Sequence, residues 1–355
     1  MEFSVEQVLK ALTNVLEPEL KKDIVKLGLV KDVVVKTNYI SFTLLVNNPA
    51  MHSKKRMKDA CLFAIERNLE KGIEVEIDIV PNDKNPENID SRKILPGVKH
   101  IIAVASGKGG VGKSTVSANL ATGLAQKGYK VGLLDADIYG PSAPLMMDLL
   151  HDKPQPIKVG EKQFIEPITS YGVKVLSIGF FAEVNQAIVW RGPMASKALN
   201  QMFTDAYWGE LDYMILDLPP GTGDIHLSLV QTAPLTGAIV VTTPQDVSLA
   251  DARKGINMFQ MESINVPVLG LVENMSWFTP EAHPNEKYFI FGENGGKQLA
   301  QELDVPLLAQ LPIIQSIREA GDAGRPAALQ SETPAKKEID SLVSNLEKVI
   351  SELNS

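Results

Sequence analysis

No part of the chain constrains its fold more than the ten residues Ser106-Gly107-Lys108-Gly109-Gly110-Val111-Gly112-Lys113-Ser114-Thr115. Residues 98–105 before them form an apolar run that predicts a buried strand, and residues 116–126 after them predict a helix. The turn between meets the spacing G-x-x-x-x-G-K-[ST] with Gly107, Gly112, Lys113 and Ser114. Glycines at those points let the backbone curl until several N–H groups face one anion. The start of a helix adds partial positive charge at the same place. The whole stretch, from Gly107 through Lys108, Gly109, Gly110, Val111 and Gly112 to Lys113, Ser114 and Thr115, is therefore a candidate phosphate cradle. In it Lys113 neutralises β- and γ-phosphates, and the Ser114 hydroxyl is a candidate ligand for Mg²⁺.

A nucleotide held there needs carboxylates nearby, and the sequence supplies them at strand ends. Residues 130–134, apolar after Lys130, run into Asp135-Ala136-Asp137-Ile138-Tyr139-Gly140-Pro141-Ser142. Residues 213–216 are apolar and end at Asp217, followed by Leu218-Pro219-Pro220-Gly221-Thr222-Gly223-Asp224. Carboxylates at the carboxyl ends of parallel strands lie where ligands bind in doubly wound sheets. Asp217 is the candidate metal carboxylate, and Gly221 and Gly223 give the loop after it room to move. Asp224 and His226 are open to either functional or surface and capping roles. Two more apolar runs, 237–243 and 266–272, end at the polar segments Pro244-Gln245-Asp246 and Glu273-Asn274-Met275-Ser276. Within the cradle itself, Lys108 is a second lysine that repels Lys113 unless an anion lies between them.

The 355 residues, 44% hydrophobic and 22% charged, describe an ordinary globular composition long enough for two domains. Residues 4–16 carry apolar side chains at helical spacing. Residues 28–35 and 39–46 read as strands around a polar turn, 50–70 as a helix, and 73–80 as a third strand. These make a small α+β domain over residues 1–80. Residues 81–97, polar and proline-bearing, read as a linker, and 98–355 as the second domain. The fold class predicted is α/β: a doubly wound, mostly parallel P-loop NTPase sheet with a small N-terminal α+β domain. Residues 151–170 show little periodicity, and residues 335–354 predict an amphipathic helix whose mixed-charge outer face favours docking on the domain over a membrane surface. A net charge of −8 and a pI of about 5.3 argue against nucleic acid as a partner. No apolar run of about 18 residues offers a membrane span. The first residues lack a signal-peptide pattern, and a cytoplasmic location is expected. The one cysteine, Cys61, excludes an intramolecular disulfide and, set among Leu62, Phe63 and Ile65, reads as a core thiol.

The run Lys108-Gly109-Gly110-Val111-Gly112-Lys113-Ser114 resembles the deviant Walker A ATPases, the class of ParA and MinD. That resemblance implies a homodimer formed with ATP, in which Lys108 reaches the partner's nucleotide and stabilises charge developing on the phosphates. It also implies that Asp137 orients the attacking water and that Asp135 holds a Mg²⁺ water. Asn274 is implied to hydrogen-bond the adenine, which suits its paired donor and acceptor. The ordered segments D-A-D-I-Y-G-P-S, W-R-G-P-M (190–194), L-P-P-G-T-G-D and V-E-N-M-S resemble the Mrp/ApbC-type iron–sulfur cluster carriers, as does the segment Ile317 to Gly324, implied to flank the base. Residues 17–30 resemble the start of the PaaD-like domain of iron–sulfur assembly proteins, with Glu17 where that family often has aspartate and residues 47–50 where a cysteine would fall. The implied function is an ATP-hydrolysing factor in iron–sulfur cluster assembly or transfer, with scaffold or client proteins as partners. The alternative is a ParA/MinD-like positional or partner-binding switch. These carriers usually bear a C-x-x-C pair after V-E-N-M-S. Residues 277–288 here contain no cysteine, and a dimer holds two cysteines in all, so four thiolates for a bridging cluster are not available. Glu281, His283 and Glu286 remain as candidate metal ligands in that loop.

Overall fold

The computed structural model describes residues 3–17, 22–36, 39–46, 51–69, 73–81, 95–181, 192–262, 264–280, 283 and 286–353. The chain forms two compact units, Met1–Asp90 and Ser91–Ser355.

The first unit is an α–β–β–α–β arrangement: α1 (Val5–Leu12), β1 (Val30–Lys36), β2 (Tyr39–Val46), α2 (Met51–Asn68) and β3 (Glu74–Pro81). Ser4 starts α1 with a capping box: its hydroxyl accepts from Gln7 N at 3.2 Å, and the Gln7 side chain accepts from Ser4 N at 2.8 Å. The sheet order is β1–β2–β3, with the first pair antiparallel and the second parallel. Side chains of β2 alternate between half-buried and buried, and Ile40, Phe42, Leu44 and Val46 pack on Val8, Leu12, Cys61 and Ile65. Residues 18–20 and 47–50, on which part of the PaaD-like resemblance rests, lie outside the described residues.

The second unit follows in the order β4 (Val98–Ser106), α3 (Lys113–Gln126), β5 (Val131–Asp135), α4 (Ala143–Met146), β6 (Gln155–Val159), β7 (Lys162–Glu166), β8 (Ile168–Ser170), β9 (Val173–Ser177), α5 (Gly192–Thr204) and β10 (Leu211–Asp217). Then come α6 (Asp224–Thr232), β11 (Gly237–Thr242), α7 (Asp246–Gln260), β12 (Val268–Phe278), α8 (Gly295–Glu302), β13 (Leu307–Ile313), α9 (Gln315–Asp322) and α10 (Pro334–Leu353). Eight strands form one sheet in the order β13–β12–β11–β4–β10–β5–β9–β8, parallel except for β8. The continuous apolar runs of β4, β5, β10 and β11 are buried throughout their inner residues, as strands covered on both faces require. Helices α3 and α10 pack on one another, as do α7 and α8. The inner face of α10 is Ile339, Leu342, Val343, Leu346 and Ile350, all buried in the domain.

Two segments differ from the sequence expectation. Residues 155–166 form an antiparallel hairpin, β6–β7, whose side chains are exposed or half-buried, so no apolar alternation announces it. Glu273 to Ser276 are not a loop after a strand. Strand β12 runs through them to Phe278, with a register shift between Asn274 and Phe278 and with Met275 at φ +58°.

Candidate nucleotide-binding site

Four parallel strands deliver the site. Asp217 closes β10 and is registered opposite Asp135 at the end of β5, which is registered opposite Ser177 at the end of β9. Central strand β4 ends at Ser106, and the glycine loop leads from it into α3. The crossover from β4 to β5 skips β10, so the loop opens at a reversal of strand order, where open α/β sheets bind ligands. Gly112 stands at φ +84°, and a Cβ there would overlap the Asn274 side-chain amide, so the position requires glycine twice over.

Lys113 is the centre of the site. It is 5% exposed, and its Nζ lies 2.7 Å from Asp217 Oδ1, 3.5 Å from Asp137 Oδ2 and 3.4 Å from Ser114 Oγ. A buried ammonium costs several kcal/mol unless it is paired, and here two carboxylates pair it. The Ser117 hydroxyl, one helical turn on, donates to Asp217 Oδ1 at 2.8 Å and fixes that carboxylate.

Asp135 is fully buried. Its Oδ1 accepts from Asp137 N at 3.1 Å, and its Oδ2 accepts from Ala143 N at 3.0 Å and from the Ser177 hydroxyl at 2.9 Å. Burial first, and then the charge of Asp217, push its carboxyl up to about 7 against those hydrogen bonds. Where the resemblance implies a metal-bound water on Asp135, the structure shows its carboxylate anchoring both ends of the segment that carries Asp137. Asp137 Oδ1 in turn accepts from Tyr139 N at 3.2 Å.

Two carboxylates, Asp137 and Asp217, pair with the single ammonium of Lys113, an excess of negative charge that suits a divalent cation. Among the described residues no group of three or more His, Cys, Asp and Glu side chains forms a closed metal cage. Mg²⁺ keeps waters, takes phosphate oxygens and uses only one or two carboxylates. Ser114 Oγ and Asp217, two metal candidates of the sequence, both lie beside the Lys113 ammonium. At the loop's other flank, Lys108 is half-buried and makes no ion pair among the described residues. Asn274 donates from Nδ2 to the Val111 carbonyl at 2.8 Å. One of its amide hydrogens therefore braces the phosphate loop itself, a contact the sequence reading did not include.

His226 is buried, not on the surface. Its Nδ1 lies 3.2 Å from the Pro219 carbonyl, which can only accept, so Nδ1 carries the proton. Its Nε2 has no hydrogen-bond partner among the described residues. Burial, reinforced by the charge of Lys113, lowers its pKa to about 4 against the bond to Pro219. The segment Ile317 to Gly324 forms most of α9, which packs against α4. Trp190, Arg191 and Glu281 lie outside the described residues. His283 and Glu286 pair at 3.5 Å with 60% and 52% of their side chains exposed, a solvated pair. Single serines carry no periodic or spacing signal, so the sequence points to neither Ser117 nor Ser177 and gives Ser106, though it opens the glycine-rich stretch, no role of its own.

Residues 97–347 match the family model described as NUBPL iron-transfer P-loop NTPase, of ParA type. Residues 5–79 match that of an iron–sulfur cluster assembly protein. The iron–sulfur cluster carrier protein of Synechocystis is 42% identical over 346 residues, 97% of either chain. That of Haemophilus influenzae is 42% identical over 353 residues, 98% of this chain and 91% of its own. Among solved structures, a nucleotide-binding protein of Archaeoglobus fulgidus in complex with ADP is 36% identical, with a TM-score of 0.60 over 70% of this chain and 95% of that one. The Pyrococcus furiosus cell division ATPase MinD is 25% identical, with a TM-score of 0.51 over 70% and 99%. With a loop that fits a nucleotide phosphate, carboxylates that fit its metal, and likeness running along nearly its whole length, the chain belongs to the iron–sulfur cluster carrier family of ParA-type P-loop NTPases.

Proposed function

We propose that the protein binds ATP with Mg²⁺ at residues 107–115, hydrolyses it slowly to ADP and phosphate as a homodimer, and uses that cycle in iron–sulfur cluster assembly or transfer. The observation that carries the reading is Lys113: a buried ammonium at a helix start, 2.7 Å from the strand-end carboxylate of Asp217 and 3.5 Å from Asp137. In this reading Lys113 and the loop N–H groups from Gly107 to Thr115 hold the β- and γ-phosphates. Ser114 and Asp217 hold Mg²⁺, with Asp135 keeping Asp137 in place. Mg²⁺ when bound neutralises charge on the phosphate oxygens. Asp137 aligns a water and accepts its proton; the water oxygen bonds to the γ-phosphorus as the bond to the β-phosphate oxygen breaks and ADP leaves with its electron pair. Lys108 of one protomer faces the other's phosphates and stabilises the charge spread over them. Asn274 steadies the loop at Val111 and keeps its amide oxygen for the adenine amino group.

The cluster is cargo, and the chain's own thiols do not fit a bridging site: Cys61 is buried in the first unit, where burial pushes it up to about 12. We therefore place cluster ligation with client or scaffold thiols. Two measurements test the reading together. ATP with Mg²⁺ should convert the protein to a dimer on sizing and be hydrolysed; a monomer at saturating ATP overturns the paired mechanism. Anaerobic reconstitution with iron and sulfide should leave the protein alone without a stable chromophore, and a chromophore at about one cluster per dimer overturns the assignment to partner thiols.

A further inference from the structure

Ser106 is the last residue of β4 and is 3% exposed. Its two oxygens hold two different segments. Its carbonyl accepts from Gly221 N at 2.8 Å, in the loop after Asp217. Its hydroxyl donates to the Lys108 carbonyl at 2.9 Å. The far side of that second loop is held as well: His226 donates from Nδ1 to Pro219, and Leu218 N donates to the Val104 carbonyl at 3.0 Å. Between Ser106 and Lys108 the chain has no slack. A Cβ on Gly107 would overlap the backbone of Asp251 on α7, so the peptide there is wedged against the helix. The 218–223 loop is thus joined through Ser106 to the residue that presents the Lys108 ammonium. Neither His226 nor Ser106 touches the phosphates by this account; both act through other residues.

We propose that Ser106 is a positioning residue that couples the loop at residues 218–223 to Lys108, with His226 as the outer anchor of that loop. The proposal rests on the reading of Lys108 as the cation acting across the dimer. It gives a role to a buried histidine whose other ring nitrogen has no partner among the described residues: the nitrogen that matters is the one on Pro219. It also explains why a strand end that needs only a small residue carries a hydroxyl.

The test is a double-mutant cycle on ATP turnover by the full chain with Mg²⁺. Ser106→Ala should lower kcat about tenfold, leave KM for ATP within about twofold and leave the melting temperature unchanged. Ser106→Thr, which keeps the hydroxyl, should restore most of the rate. In a Lys108→Ala background Ser106→Ala should change nothing further, because the residue it positions is gone. His226→Leu, which keeps apolar packing beside Phe259, should lower kcat in the wild-type background and likewise have no effect without Lys108. That arm stands if Ser106→Ala does not fold. Losses that add in the Lys108→Ala background, or a Ser106→Ala effect confined to KM, overturn the coupling while leaving the function reading intact. If Lys108→Ala itself hydrolyses ATP at the wild-type rate, the reading of Lys108 falls and the coupling falls with it, a result distinct from either of the others.

Discussion

Cys61 and Lys113 are both buried, 0% and 5% exposed, and the two units surround them in opposite ways. Around Cys61 lie apolar side chains, among them Val8, Leu12, Ile40 and Ile65, and burial alone pushes its thiol up to about 12. Around Lys113 lie Asp217, Asp137, Ser114 and Ser117, brought together from two strand ends and a helix. A neutral group is buried by simple exclusion of water. A charged group is buried only where the fold assembles counter-charges, and that assembly is what the proposed function uses for a phosphate and its metal. The difference separates packing from chemistry: the first unit hides its most reactive side chain, and the second concentrates charge at the carboxyl end of its sheet.

The comparison breaks most easily at Lys113. Lys113→Ala should abolish ATP binding and, by leaving Asp217 and Asp137 facing one another unpaired, destabilise the fold by about 3–5 kcal/mol. Titration with a fluorescent ATP analogue and denaturant unfolding measure the two effects. Retained nucleotide affinity would mean that the buried charge cluster is only structural. Next in size is Lys108→Ala. Affinity for ATP should hold while turnover falls about 10³-fold, the range for a cation acting in trans on a transferring phosphoryl group. Equal losses in affinity and rate would move Lys108 into ordinary phosphate binding and leave the dimer without a catalytic role.

The phosphate loop was legible because its backbone needs are written as glycines at fixed spacing, and the acidic partners were legible because apolar runs stop at Asp135 and Asp217. The parallel sheet was legible for the same reason: buried strands read as continuous apolar runs. What stayed hidden depends on tertiary meeting. Asn274 reaches Val111 only because β12 continues through a bulge that puts Met275 at positive φ, and no residue pattern announces that. Ser177 caps Asp135 from a strand 42 residues away in sequence. The β6–β7 hairpin lacks a buried face, so the periodicity that reveals a strand is missing from it. Asp135 was found but its duty to the Asp137 loop was not, because sequence shows that a carboxylate is present and not which donors surround it.

A third effect sharpens the comparison within the second unit, where His226 is buried uncharged beside Phe259 and within reach of the Lys113 charge. Its folded pKa, about 4, lies below the ordinary 6.5, so the unfolded chain takes up the proton first. The contribution of neutral His226 is complete above pH 6.5 and is lost as pH falls from 6.5 to about 4, a total of about 3 kcal/mol. Asp135 works with the opposite sign, since its raised carboxyl makes the folded state hold a proton that the unfolded state releases. The difference between wild type and His226→Gln isolates the histidine. Denaturant midpoints for the two proteins should diverge at neutral pH and converge toward pH 4. Parallel curves would place water or a charge beside His226 and weaken the case that its neutral form anchors Pro219.

The smallest effect is at Cys61, and it decides whether the contrast between the units is one of function or only of composition. Cys61→Ala removes one buried sulfur from a core that includes Ala64 and Ile65, and should cost about 1–2 kcal/mol of stability in the first unit. Nucleotide affinity and turnover should not change. Alkylation of the native protein at pH 8 should be slow and become fast in denaturant, because the reactive species is the thiolate and burial suppresses it. If instead native Cys61 is alkylated at the rate of the denatured chain, the first unit opens readily, and a thiol becomes available to a cluster that the closed fold denies it. Iron uptake by wild type and Cys61→Ala then separates the cases: equal uptake leaves the ligands with the partners, and loss of uptake in the variant brings the first unit into the chemistry.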